Sequence, residues 1–133
     1  MRLTHRSEYA LLALLHLARQ KSGHYLKVEE IARVQSIPPQ FLEQILLALK
    51  RNCYVTSLKG HGGGYRLSKR PNQITLAEVI RLLDGALAPT ESVSRYFYEP
   101  TPAEKEKGLI RVFRQIRDFV AKTLETTTLA DVL

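Results

Sequence analysis

Thiols and long apolar runs are what this chain has least of. It holds one cysteine, Cys53, in 133 residues, with one methionine and no tryptophan. A lone cysteine excludes an intramolecular disulfide framework and cannot by itself make a cysteine-ligated metal site. The longest apolar candidate, Tyr9 to Ala18, is ten residues, too short to cross a bilayer. It is interrupted by His16, flanked by Glu8, and lacks a small-residue cleavage site. It therefore reads as a core helix of a cytoplasmic protein, with no membrane partner, rather than a signal peptide. No Gly-Lys-Ser/Thr follows the glycines of Gly60–Gly64, so there is no P-loop, and no serine sits in a G-x-S-x-G elbow. A non-enzyme is expected. The length allows one domain with a modest core.

What the chain has in excess is positive charge, and that charge is unevenly placed. The net is +7; residues 1–72 carry 12 Lys/Arg against 4 Asp/Glu, and residues 73–133 carry 8 against 9. The basic excess belongs to the first half alone, as recognition of a polyanion requires.

That half is organised around Ser36 to Ser68. Pro38-Pro39 opens a helix at positions where a missing N–H is harmless. Leu42, Ile45, Leu46 and Leu49 follow at the spacing of one buried face. Gln40, Gln44, Leu47 and Arg51 point the other way, with Phe41 on the flank and Lys50 nearby. Gln bonds bidentately to adenine, an apolar group meets the thymine methyl, and cations reach phosphate, so this face suits a major groove. The pattern then switches to period two: Tyr54–Leu58 and Tyr65–Ser68 read as the strands of a hairpin. Its tip, Lys59-Gly60-His61-Gly62-Gly63-Gly64, brings backbone N–H groups close to a ligand. His61-Gly62-Gly63-Gly64 also matches the oxyanion string of some esterases, but here without their nucleophile. Helix plus basic, glycine-tipped hairpin is the recognition half of a winged helix-turn-helix. The fold class expected is mainly α with a small β-hairpin.

Three strings carry a resemblance to a known family. Met1-Arg2-Leu3-Thr4 with Tyr9-Ala10, then Leu42-Glu43-Gln44, then Gly62-Gly63-Gly64-Tyr65, resemble the start, the LEQ helix and the GGGY wing of the IscR/NsrR/CymR (Rrf-two) family. These are bacterial winged helix-turn-helix transcriptional regulators. The resemblance runs through Thr75–Ile80 to Thr128–Val132, and is loose between about 86 and 105. It implies a sequence-specific regulator, commonly a repressor, acting as a homodimer on a pseudo-palindromic site in double-stranded DNA. Base reading is expected of Gln40, Phe41 and Gln44. Glu43, within the family motif, is expected to accept from cytosine or discriminate against wrong bases. Lys59, Gly60, His61, Gly62 and Gly63 form the expected wing contact, with Arg2, Thr4, Lys50, Arg51 and Arg66 as phosphate ligands. A non-regulatory module, architectural or RNA-binding, remains the competing class.

Around the recognition half, helices are expected over Arg6–Gln20 and Val28–Gln35, the latter with Ile31, Ala32 and Val34 inward, and a turn over Lys21–Tyr25. His16 reads as a core or boundary histidine. The head spans 1–72 and the remainder 73–133, packed as one compact unit. Thr75 with Glu78 forms a capping box for a helix ending at Asp84-Gly85. A loop of residues 86–101 follows, then a helix over 102–125 opened by Thr101-Pro102-Ala103-Glu104. On it Leu109, Val112, Phe113, Ile116, Phe119 and Val120 form a stripe too wide for a small head to cover, which points to dimerisation. Thr128 with Asp131 caps a last turn.

Many family members hold an iron–sulfur cluster on three cysteines in the loop before the dimer helix. That loop here contains none, so no cofactor and no metal ligands are expected; ligation by Glu8, the histidines or Cys53 is the alternative. Cys53 reads as a small buried apolar residue. Control would pass to a small molecule or partner protein, with Tyr96, Phe97 and Tyr98 lining such a site or packing over the dimer helix.

Overall fold

The computed structural model describes residues 1–20 and 23–133. Of the expected turn at Lys21–Tyr25, Lys21 and Ser22 lie outside the described residues. Among the described residues the chain forms five α-helices and one hairpin: α1 (His5–Ala18), α2 (Val28–Gln35), α3 (Pro39–Arg51), β1 (Val55–Leu58), β2 (Gly64–Leu67), α4 (Leu76–Asp84) and α5 (Lys107–Glu125). The architecture is mainly helical, as expected.

Helix α1 starts one residue before the expected Arg6 because Thr4 caps it, its Oγ1 accepting from the Ser7 N–H at 3.3 Å. It stops at Ala18, two residues short of Gln20, where the ladder tightens to a Gln20 N–H to Leu17 carbonyl bond. Ala10, Ala13, Leu14 and Leu17 are buried, and the covering elements α2, α3, α4 and β2 belong to the same chain. His16 is buried on α1, and its Nε2 has no partner among the described residues.

In α2, Ile31 and Ala32 are buried, but Val34 is 46% exposed rather than inward. The buried arc is centred between Ile31 and Ala32, and Val34 lies roughly 110° from that centre on the wheel. Ser36, at φ 55°, ends α2 in the left-handed region while the Ile37 N–H returns to the Ala32 carbonyl. The chain thereby reverses into α3, with Pro38 at the N-cap and Pro39 at the first helical position. Leu42, Ile45, Leu46 and Leu49 are each 0% exposed. Truncating any of them to alanine costs roughly 2–5 kcal/mol.

The hairpin pairs Val55 with Leu67 and Leu58 with Gly64. The first strand ends at Leu58 as expected but starts one residue later than Tyr54, and the second is shifted one residue back from Tyr65–Ser68 because Gly64 itself pairs. Cys53, expected to be buried, is exposed. It sits at φ 66° in the turn that leaves α3, which points it away from the core.

The capping box of α4 forms as read: Glu78 Oε2 accepts from the Thr75 N–H at 2.8 Å, and Thr75 Oγ1 from the Glu78 N–H at 3.2 Å. Ile74, Val79 and Leu129 join the same buried cluster as α1 and α3. The C-terminal segment returns to this point, where the Leu76 N–H bonds Thr127 and the Leu129 N–H bonds Ile74. At the other end of α4, Asp84 accepts from Thr4 N–H (3.1 Å), Thr4 Oγ1 (2.5 Å) and Ser7 Oγ (2.6 Å), tying α4 to the start of α1.

The loop after α4 contains a 3-10 turn at Glu91–Val93, held to α5 by Arg117 Nη1 donating to the Val93 carbonyl at 2.9 Å. Helix α5 begins at Lys107, not at Pro102. Pro102–Lys105 is a separate 3-10 turn, and Glu106 (φ −123°, ψ 105°) separates the two. Thr101 does not cap: its Oγ1 accepts from Thr90 Oγ1 at 3.2 Å and donates to Ser92 Oγ at 2.7 Å, which holds it among the loop hydroxyls. The last turn, Ala130–Val132, is capped by Thr128 and Asp131 as read.

Candidate nucleic-acid interface

The outer face of α3 carries Gln40, Glu43, Gln44, Leu47, Lys50 and Arg51, all exposed, opposite the four buried aliphatics. Amphipathicity alone thus presents the polar set as a row. Phe41, 36% exposed, is held edge-on by Tyr9 of α1, the centroids 5.6 Å apart at 81°, and His5 lies beyond Tyr9 at 6.0 Å, tilted by 50°. An aromatic contact of this geometry restricts the ring to one orientation.

The wing is docked rather than free. Leu26 and Tyr65 exchange backbone hydrogen bonds of 2.8 Å in both directions, extending the hairpin by one bridge to the segment before α2. Lys27 Nζ donates to the Gly60 carbonyl at 2.7 Å and so anchors the tip. The Arg66 guanidinium lies over the Tyr25 ring at 4.5 Å and reaches the Gly23 carbonyl at 3.4 Å. Glycine is required at two positions. A Cβ at Gly64 (φ 140°) would overlap the Leu26 carbonyl, and one at Gly63 would overlap the Leu58 carbonyl. Lys59, Gly60, His61 and Gly62 are exposed at the tip, while Gly63 is buried under it.

The structure therefore brings Gln40, Phe41, Glu43, Gln44, Lys50 and Arg51 onto one helix, and Lys59 to Gly63 onto the wing beside it. Glu43 faces β2 closely enough that, after burial, its charge is the second cause raising the Tyr65 phenol above the ordinary range. Arg2 is exposed. Thr4 is engaged internally, its hydroxyl hydrogen given to Asp84. Leu26 and Lys27 were not singled out from the sequence, and Tyr9 was named only within the family's opening string, with no role at the interface. Lys27 looks like any solvated lysine before a helix. Only the approach of two separate segments reveals them.

Behind the interface, Tyr54 donates to Glu78 Oε1 at 2.8 Å. Burial pushes the Glu78 carboxyl up, but the bonds from Thr75, the Tyr54 phenol and the nearby Lys69 together hold it below its ordinary value.

On α5, Leu109, Val112, Ile116 and Phe119 are 48%, 44%, 44% and 74% exposed. Phe113 and Val120, from the same expected stripe, turn to the protein's own interior: Phe113 packs with Ala88, Val93 and Ile110, and Val120 with Ala77, Ile80 and Leu87. In the loop, Tyr96 lies under Arg81 at 4.9 Å, itself paired to Glu125 at 2.6 Å, and Tyr98 donates to Glu104. Of these three, Tyr98 lines a cavity together with Ser92, Glu104, Lys107, Ile110 and Arg114, which does not include Tyr96 or Phe97.

A helix-turn-helix whose second helix presents a polar row beside a docked basic wing defines the winged helix-turn-helix class of DNA-binding proteins. The chain belongs to the Rrf2 family, described as iron-dependent transcriptional regulators, whose family model matches residues 3–133. It is 38% identical over 135 residues to Rv1287 of Mycobacterium tuberculosis, provisionally assigned as an HTH-type transcriptional regulator, covering 99% of this chain and 81% of that one. It is 30% identical over 132 residues to the HTH-type transcriptional regulator CymR of Bacillus subtilis, covering 99% and 89%. The solved structure of that CymR, described as the global cysteine regulator of its organism, superposes with TM-score 0.79 at 28% identity, covering 99% and 95%. IscR of T. potens shares the fold at TM-score 0.75 and 23% identity. DNA-binding transcription regulation is thus the function class. No helix among the described residues is long and apolar enough to cross a membrane.

The iron dependence attached to the family meets a donor set that does not suit a thiolate-held cluster. Such clusters are bound through cysteine sulfur. Around the loop this chain offers the hydroxyls of Ser92 and Tyr98, the Glu104 carboxylate and a lysine, while its one cysteine stands at the end of α3. Among the described residues no three His, Cys, Asp or Glu side chains come close enough to hold a metal ion.

Proposed function

We propose that this protein is a homodimeric, operator-specific repressor that places two α3 helices in successive major grooves of a pseudo-palindrome, with the wings on the flanking backbone. The single observation that carries the reading is the coexistence of the α3 row with an uncovered apolar stripe on α5. Leu109, Val112, Ile116 and Phe119 recur at three- and four-residue steps on one side of a 19-residue helix. That is the seam spacing of a helix packed against another helix. A second copy of the same stripe, related by a two-fold axis, would cover it and fix the separation of the two reading heads.

The donor set in the loop supports control by something other than a cysteine-ligated cluster, either a small molecule or a partner protein. The basic charge of residues 1–72 supplies the sequence-independent share of affinity, and α3 the discrimination.

Selection of bound sequences from a random pool, combined with sedimentation of wild type and Phe119→Glu, tests this reading. The expected outcome is a two-fold-symmetric consensus with half-sites about one DNA turn apart. The wild type is expected to sediment as a dimer, and Phe119→Glu as a folded monomer that binds the consensus at least about tenfold more weakly, through loss of the second half-site. An asymmetric or absent consensus, or a Phe119→Glu dimer of unchanged affinity, overturns it.

A further inference from the structure

We infer that the cavity between the loop and the first two turns of α5 is a binding site for a small monoanionic organic acid that carries a hydroxyl donor beside its carboxylate. The inference rests on the reading above that the signal is not a cysteine-ligated cluster, and assigns the chemistry that takes its place.

The cavity measures about 460 Å³ and is lined by Ser92, Tyr98, Glu104, Lys107, Ile110 and Arg114. Lys107, Ile110 and Arg114 fall at three- and four-residue steps, so one face of α5 forms a wall with a cation at each end and an apolar residue between. Ile110 is 8% exposed, packed on Ala88 and Val93. The face is distinct from the Leu109–Phe119 stripe, so covering that stripe leaves this wall in place. Among the described residues neither Lys107 nor Arg114 has an ion-pair partner, whereas Arg81, Arg95 and Arg117 do.

The opposite wall is polar and held in place. Ser92, 9% exposed, belongs to a hydroxyl chain in which Thr101 donates to Ser92 at 2.7 Å and Thr90 donates to Thr101 at 3.2 Å. With Thr101 as its donor, Ser92 has its own hydrogen for the long 3.4 Å contact to Thr90 Oγ1 or for a nearer acceptor in the cavity. Tyr98 donates to Glu104 Oε1 at 2.5 Å, leaving Oε2 without a partner among the described residues. Two cations against one carboxylate leave an excess of one positive charge at the wall. That balance suits a monoanion. Its carboxylate would be taken by Arg114 in the bidentate manner guanidinium favours, with Lys107 or Ser92 assisting. Its adjacent donor would meet Glu104 Oε2, and its carbon body would rest on Ile110. A simple fatty acid would leave Glu104 unanswered beside its own charge, and a neutral alcohol would leave both cations unanswered.

Isothermal titration of the full chain with L-lactate and propionate, at one pH and salt concentration, tests the assignment. Both are monoanions at neutral pH, and lactate alone carries the adjacent hydroxyl. Lactate is expected to bind about tenfold or more tightly than propionate, since a hydrogen bond to a charged group separates them. Arg114→Gln is expected to abolish that binding. Glu104→Gln is expected to erase the preference over propionate while binding of propionate itself is kept or improved. Arg114 is exposed and unpaired, so its variant should fold as wild type, which far-ultraviolet dichroism checks. Lactate binding no tighter than propionate, no binding of either acid, or binding unchanged in Arg114→Gln overturns the proposal. Operator affinity of the same variants, measured without any acid, reports separately on the DNA-binding reading. Arg114→Gln is expected to leave it unchanged.

Discussion

Tyr54 gives its phenolic hydrogen to Glu78, 2.8 Å away, and the same carboxylate receives the backbone N–H and hydroxyl of Thr75. One side chain thus closes the N-terminus of α4 and grips the residue that leads from α3 into the hairpin. Burial, the Glu78 bond and its charge push the Tyr54 hydroxyl far above the ordinary tyrosine value, so it remains a donor throughout the accessible range.

The Glu78 carboxyl titrates below its unfolded value of 4.5. Its contribution to stability is therefore full above that value and is lost as pH falls through the lower, folded value. Tyr54→Phe is expected to lower unfolding stability at pH 7 by about 1.5–3 kcal/mol, the worth of a hydrogen bond to a charged group. Urea titrations of wild type and variant at pH 7 and below pH 4 should show the difference shrinking on acidification. A difference independent of pH would mean that the bond does not act through the ionised carboxylate.

The wing's seat predicts a separation of stability from affinity. Gly64→Ala places a methyl group on the Leu26 carbonyl, at φ 140°, so the Leu26–Tyr65 bridge must open. The expected result is a loss of roughly 1–3 kcal/mol of stability, together with weaker binding to all duplexes. Gly62→Ala has open space around its Cβ and only the conformational strain of φ 80°. It should cost less than Gly64→Ala in the same melting and binding assays. The reverse order would place the wing differently on this chain.

Within the interface, Gln44 and Lys59 should fail in different ways. Gln44→Ala removes an exposed amide from the middle of the α3 row, and is expected to relax preference at one base pair of each half-site by about 1–3 kcal/mol. Lys59→Ala is expected to weaken every duplex alike and reduce the slope of log affinity against log salt by about one unit per wing. Affinities for single-substitution operators over a salt series distinguish them. Unchanged sequence preference in Gln44→Ala would remove that residue from base reading.

The helix spacing of Leu42, Ile45, Leu46 and Leu49, the prolines before them and the capping box of Thr75 and Glu78 are local signals. Each depends on a few neighbouring residues, and the sequence by itself determined them. The charge asymmetry and the glycine-rich tip belong with these, because composition alone sets where cations and permissive backbone lie. Val34, Cys53 and the start of α5 misled sequence reading because nothing local decides them. Val34 depends on which arc of a short helix meets its neighbours, Cys53 on the direction of a left-handed turn, and Thr101 on the hydroxyls of Thr90 and Ser92 that hold it away from the role of a cap. Tertiary structure alone placed Leu26 and Lys27 against the wing, Tyr9 against Phe41, and Ser92 beside the α5 face that carries Lys107 and Arg114. These pairs join segments far apart in sequence. Such contacts carry no periodic or capping signature, and form only once the buried faces of the helices have fixed how the segments meet.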